Sequence, residues 1–314
     1  MFSINDRAAA YVDELLNREE ELQIKSHFLE NQSTVIDCGV NTIGGIGAGI
    51  LYATIAMGGL GRVSLVPGII DGLYLQFSQI WVDQPAIACL GSQKPGWKLK
   101  AEGFTGTAFG PARAIALKPK ALYQAIDYSD DAETVFINIE ANSLPTAKDM
   151  DSIAKQCSTE PDSVVAMVAR PGSIAGTIAH STRAVEWALN RLFQIGYDTK
   201  DVISASGVVP VAPTSGADQD CIGISMDAIA YYGMVSLYAR SVSDAFKSVT
   251  SENSKFYGKS FKALLMDVQG DYSKVDGAMF GPARLMVNGP DGSTKTFGRL
   301  DPAMLLISMG LIEA

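Results

Sequence analysis

Apolar positions along the chain change period several times, and each change marks an element. The stretch TVIDCGV (34–40) is apolar with β-branched residues and predicts a strand, IGAGILYATIAM (46–57) predicts a buried helix, and GLYLQFSQIWV (72–82) a second strand. Further on, TVFINIEA (134–141) predicts a strand. Thr146 and Asp149 have the spacing that opens a helix, here running to Cys157. DSVVAMVA (162–169) predicts another strand, and a long helix follows over 174–195, stopped by Gly196. The alternation is that of an α/β protein with helices covering sheet faces. The acidic loop YSDDAE (128–133) is the best boundary, giving α/β domains over 1–130 and 131–314, with a C-terminal segment able to return to the first.

One stretch needs weighing as a membrane span. Residues 38–61 carry no charge over 24 positions, enough to cross a bilayer. Yet Gly44, Gly45, Gly47, Gly49, Gly58 and Gly59 interrupt it, together with Asn41, Thr42, Tyr52 and Thr54. A helix buried within the protein or at a subunit contact fits better. The same run, NTIGGIGAG, departs from the dinucleotide fingerprint, because the third glycine position is Ile50. These glycines therefore serve close helix packing or the approach of backbone to a ligand.

Composition narrows the function. A formal charge of −9 with 47% apolar residues fits a soluble globular surface and argues against nucleic acid as the main partner. Cys38, Cys89, Cys157 and Cys221 form no CxxC pair, so reduced thiols are expected. With only His27 and His180, and no HExxH, a dedicated catalytic metal is not expected. The polar, helix-patterned N-terminus is no signal peptide, and the expected location is cytoplasmic.

Three local features could carry chemistry. Arg183 and Glu186 lie three apart on the long helix and share a face, which by itself describes a surface ion pair. In ACLGSQKPGWK (88–98) a Pro95-Gly96 turn follows a short helix, with Lys94 and Trp97 beside it. The pentapeptide FGPAR occurs twice, at 109–113 and 280–284, and each Gly-Pro bend is expected to lead its arginine into a strand. Arg113 and Arg284 would suit a phosphate or carboxylate near a shared pocket. An internal structural echo, each arginine pairing with a nearby carboxylate to close its own domain, explains the repeat equally well.

Taken together, TVIDCGV, ACLGSQKPGW, FGPARAIALKPKALYQAIDY, SIAGTIAHSTRAVE, YGKSF and DYSKVDGAMFGPARLMVN resemble the methenyltetrahydromethanopterin cyclohydrolase family almost from end to end. The resemblance implies two α/β domains with a deep pocket between them, a homotrimer, a small-molecule pterin substrate and no cofactor. It makes Glu186 and Arg183 the catalytic pair, with Glu186 as general base and Arg183 tuning and orienting it. Gln93, Lys94 and Pro95 become substrate-binding residues, with Ser173 and Asp227 as further positions. The chain departs from the family pattern where PTAS is replaced by Arg170, Pro171, Gly172 and Ser173. It departs again where GRTND is replaced by GISMD, which keeps only Gly223 and Asp227. A pterin-binding homologue without activity, or a cyclohydrolase acting on a folate, are the alternatives those departures raise.

Overall fold

The computed structural model describes residues 2–101, 103–269 and 274–313. Its strands are β1 (Lys25–Phe28), β2 (Thr34–Asp37), β3 (Gly61–Ile70), β4 (Leu73–Val82), β5 (Trp97–Ala101), β6 (Phe104–Phe109), β7 (Val135–Ala141), β8 (Val164–Ala169), β9 (Val202–Pro210), β10 (Met234–Ala239), β11 (Arg284–Asn288) and β12 (Thr294–Gly298). They form two mixed six-stranded sheets, ordered β1-β2-β8-β7-β6-β5 and β12-β11-β10-β9-β4-β3. The α/β class expected from the sequence holds for both.

The chain divides into two compact units, Met1–Arg62 with Ile87–Ala179 and Val63–Ala86 with His180–Ala314. The boundary expected at 130/131 therefore falls inside the first unit. There β7, just after the acidic loop, pairs with β6 before the loop and with β8 after it. Sheet pairing across the loop outweighs its composition. The segment that leaves the first unit is instead the β3–β4 hairpin, closed by Asp71 (φ 48°) and Gly72 (φ 83°) in the two-residue turn that suits twisted strands. The C-terminal residues stay with the second unit.

In the first unit the helices are α1 (Ile4–Asn17), α2 (Glu19–Leu22), α3 (Ile46–Ala56), α4 (Ala112–Ala116), α5 (Lys120–Ile126), α6 (Ala147–Cys157) and α7, which begins at Ile174 and ends at Ser181. Successive residues of β7 point to opposite faces. Ile137 and Ile139 pack with Met150 and Ile153 of α6, while Asn138 donates to the Tyr52 carbonyl of α3 at 3.0 Å. With both faces covered, the central strands read as continuous apolar runs. The Thr146–Asp149 capping box opens α6 as expected. The glycines of α3 permit close packing: a Cβ on Gly49 would stand 2.8 Å from Ile178 of α7. At 11 residues α3 is far shorter than a bilayer needs. Among the described residues, no helix is long and apolar enough to cross a membrane.

The second unit carries α8 (Ala184–Gln194), α9 (Asp218–Asp227), α10 (Phe261–Asp267) and α11 (Pro302–Ser308). Helix α8 packs on β9 and β10, and the inward residues Ala205, Gly207, Val235, Leu237, Leu285 and Val287 are buried. Here the expectation of helices over sheet faces holds for one face only, because the outward residues Ser206, Val208, Ser236, Tyr238, Arg284 and Met286 keep solvent exposure. The helix expected over 174–195 is also two helices. Residues Thr182 and Arg183 interrupt it, with the Arg183 N–H turned back to the His180 carbonyl at 3.2 Å.

Candidate functional site

That interruption places Arg183 at the N-cap of α8 and Glu186 in its first turn. Free backbone N–H groups and the positive end of the helix dipole favour a carboxylate there. Arg183 donates from Nε and Nη2 to the same oxygen, Glu186 Oε2, at 3.2 and 2.9 Å. The pair is not the surface ion pair that helix spacing alone describes. The side chain of Glu186 is 2% exposed and that of Arg183 17%. Two charges held away from water cost desolvation that their attraction only partly repays, so fold stability is a poor reason for the arrangement. Chemically it is a carboxylate fixed by one cation, with Oε1 outside those two bonds.

Three aromatic rings hold α8 in place. Trp187, next to Glu186, meets Phe280 at 5.5 Å and Phe261 at 5.9 Å between centroids, and those two rings meet each other at 5.5 Å. Phe261 opens α10, and its N–H donates to Asp227 Oδ1 at 2.9 Å. The Ser308 hydroxyl of α11 donates to Asp227 Oδ2 at 2.6 Å. Both oxygens of Asp227 are thus engaged and the residue is fully buried, so it ties α9, α10 and α11 together. Burial pushes its carboxyl up to about 7, against the pull of those two donors.

The SQKPGW segment begins in the last two residues of a π-helix (Ala86–Gln93), a conformation enriched at functional sites, and leaves it at Lys94. Gln93 is buried, and Lys94 and Pro95 are partly exposed. Arg113 holds this segment by its backbone. Its Nη1 donates to the carbonyls of Lys94 (2.6 Å), Leu90 (3.0 Å) and Ser92 (3.4 Å), and Nε and Nη2 donate to that of Lys118 (3.0 and 2.7 Å). Arg113 is fully buried. These partners are backbone carbonyls, so the guanidinium is engaged within the protein itself. The echo reading needs amending, since the partners it supposed were carboxylates.

The two FGPAR copies diverge after their bend. The first enters α4, from Gly110 at φ 92°, where a Cβ would lie 2.6 Å from Asn138 Oδ1. The second enters β11, and Arg284 is exposed at its first position. The expectation that both enter a strand holds only for the second. What the copies share is an aromatic anchor: Phe109 meets Tyr52 edge-on at 5.9 Å, and Phe280 belongs to the cluster behind α8.

Ser173 caps α7. Its hydroxyl donates to the Arg170 carbonyl at 2.7 Å and accepts from the Gly176 N–H at 3.0 Å. Gly39, at φ 141°, lets the preceding loop approach within 2.8 Å of Ser173, measured to a Cβ built on it. That loop hangs on a residue the sequence reading did not single out. Asp37 accepts from the N–H groups of Gly39 and Val40 and the Thr42 hydroxyl at Oδ1, and from the Asn41 N–H at Oδ2. Burial alone would raise its carboxyl, but these donors outweigh it and hold the group below the usual carboxylate range. The signal was present, an aspartate at a strand end followed by Gly and Asn.

Of the expected site residues, Gln93, Lys94, Pro95, Arg113 and Ser173 thus belong to the first unit, and Arg183, Glu186, Asp227 and Arg284 to the second. Among the described residues, no group of three or more His, Cys, Asp or Glu side chains could hold a metal ion.

Known proteins resemble this chain over nearly all its length. A sequence profile described as Cyclohydrolase (MCH) matches residues 3–309. The methenyltetrahydromethanopterin cyclohydrolase of Methanococcoides burtonii is 39% identical, covering 99% of each chain. The proteins of that name from Methanoregula boonei and Methanosarcina barkeri are 38% and 37% identical, covering 99% of this chain and 100% and 99% of their own.

Proposed function

Because the chain belongs to the Cyclohydrolase (MCH) family, we propose that it reversibly hydrolyses methenyl-tetrahydromethanopterin to formyl-tetrahydromethanopterin, with Glu186 as general base and Arg183 orienting it. The methenyl carbon lies between two ring nitrogens and shares their positive charge. Water adds to that carbon and gives up a proton, one C–N bond then breaks, and its electron pair stays on the released nitrogen, which takes the proton of the added hydroxyl as the C=O forms. The other nitrogen keeps the formyl group, so a cation and water become a neutral product and a proton.

The step that needs help is removal of the proton from water. A positioned carboxylate is typically worth ~10²–10⁴ in rate. A lone arginine would repel the cationic substrate, whereas the Arg183–Glu186 pair is neutral as a unit. The observation that carries this reading is the burial of the Glu186 carboxylate, with both bonds from the partly exposed Arg183 on one of its oxygens. In the reading Gln93, Lys94 and Pro95 contact the pterin, and Arg113 acts from behind them through the backbone.

Loss of the methenyl absorbance on adding purified protein tests the proposal, with the corresponding methenyl folate assayed beside it. Turnover of the methanopterin form above the spontaneous rate supports it. Turnover of the folate alone would reassign the substrate, and tight pterin binding without turnover would leave a binding protein.

A further inference from the structure

The repeated pentapeptide has a companion motif. Each FGPAR follows a segment of pattern AIAxxG, which reads AIACLG at 86–91 and AIAYYG at 228–233. Both segments fold as π-helices, Ala86–Gln93 and Ala228–Tyr232, a rare form that the same short sequence opens twice. Each pentapeptide also bonds back to its own π-helix. The Gly110 N–H donates to the Ser92 carbonyl at 2.9 Å, beside the bonds from Arg113 to Leu90 and Ser92. The Ala283 N–H donates to the Ile229 carbonyl and the Arg284 N–H to that of Gly233, both at 3.0 Å. The recurring unit is a π-helix with a brace.

What each brace reaches differs. The first holds the π-helix whose last residue is Gln93, and Phe109 steadies that brace against Tyr52, whose hydroxyl donates to the Ile139 carbonyl at 3.0 Å. The second is pinned on its other side as well. The Ser251 N–H donates to the Pro282 carbonyl at 3.1 Å, and a Cβ on Gly281 would stand 2.0 Å from the Val249 carbonyl oxygen. Phe280, at the head of this pinned segment, meets the buried Trp187 edge-on at 5.5 Å. The Trp187 N–H in turn donates to the Arg183 carbonyl at 2.9 Å, closing the turn of α8 that carries Glu186.

We propose that the two copies position two different parts of the proposed site. Phe280 is a positioning residue for Glu186, acting through Trp187, and Phe109 is one for Gln93, Lys94 and Pro95, acting through the Gly110–Ser92 bond. The inference rests on the reaction proposed above. A base must be held closely, since a misplacement of about 1 Å can cost ~10²-fold in rate. An aromatic pair fixes orientation as well as distance, which an aliphatic side chain does not.

Steady-state kinetics of Phe280→Leu and Phe109→Leu, with folding checked by circular dichroism, test it. Phe280→Leu should lower kcat by about tenfold and leave KM within about twofold, the signature of an interaction felt in the transition state. Phe109→Leu should raise KM by about fivefold and leave kcat within about twofold, the signature of lost substrate binding. Phe280→Tyr keeps the ring at a half-buried position and should retain kcat. In a Glu186→Gln background Phe280→Leu should change the residual rate by less than about twofold, because nothing is left to position. A merely structural role would lower both backgrounds by the same factor. Should the leucine variant fail to fold, Phe280→Met carries the same comparison. In an active unmodified protein, unchanged kcat in Phe280→Leu, equal losses in both backgrounds, or like effects of the two leucine variants on kcat and KM would overturn this inference alone. An unmodified protein without turnover would overturn the proposed reaction and this inference with it.

Discussion

Arg183 Nε and Nη2 both donate to Glu186 Oε2, from the N-cap of α8 to its first turn. A lysine at 183 would keep the charge but lose the planar fork. Losing one hydrogen bond between charged groups costs about 1.5–3 kcal/mol. Arg183→Lys is therefore expected to lower kcat for methenyl hydrolysis by about tenfold or more with the fold intact. Near-normal kcat in that variant would mean that charge alone suffices.

Asp227 makes the second unit sensitive to pH. Its folded value of about 7 lies above the ordinary 3.8, so the folded state holds the proton more tightly than the unfolded one. The stability this gives is complete below about pH 4 and is lost as pH rises through 7. Asp227→Asn cannot ionise and escapes the loss. In denaturant unfolding it should gain ~2–3 kcal/mol on the unmodified protein between pH 5 and pH 8. Parallel stability curves for the two would show that Asp227 ionises without penalty.

The repeated pentapeptide predicts opposite costs for one substitution. Arg113 is buried on four backbone carbonyls, whereas Arg284 is exposed. Arg113→Met strands those acceptors and should destabilise the protein by ~3 kcal/mol or more. Arg284→Met should cost less than about 0.5 kcal/mol. Urea unfolding of both variants compares them directly. Equal losses would contradict the asymmetry.

Local rules made much of this legible. The runs rich in apolar residues became β2, β4, β7 and β8, and the Thr146–Asp149 signature became a capping box, because each depends on neighbours within one turn or one strand. The break at Thr182 and Arg183 has no glycine or proline to announce it, and it turns a pair on a helix face into a cap and its first-turn carboxylate. The exchange of β3 and β4 into the second sheet is a long-range pairing, invisible to any window along the chain. The fate of each FGPAR was hidden for the same reason. Whether its arginine is buried depends on the carbonyls of Leu90, Ser92 and Lys94, some twenty residues upstream. The resemblance identified Arg183 and Glu186 as a pair, but only the fold shows that its carboxylate is buried.

The most direct test of the account is the rate of methenyl-tetrahydromethanopterin hydrolysis by Glu186→Gln beside the unmodified protein. Glutamine preserves the shape of the side chain and can still accept from Arg183, but it cannot take a proton from water. The unmodified protein should turn the substrate over well above the spontaneous rate, and the variant should be slower by about 10² or more, as expected for removal of a general base. A variant within a few-fold of the unmodified enzyme, with its circular dichroism unchanged, would contradict the assignment of Glu186 as the base.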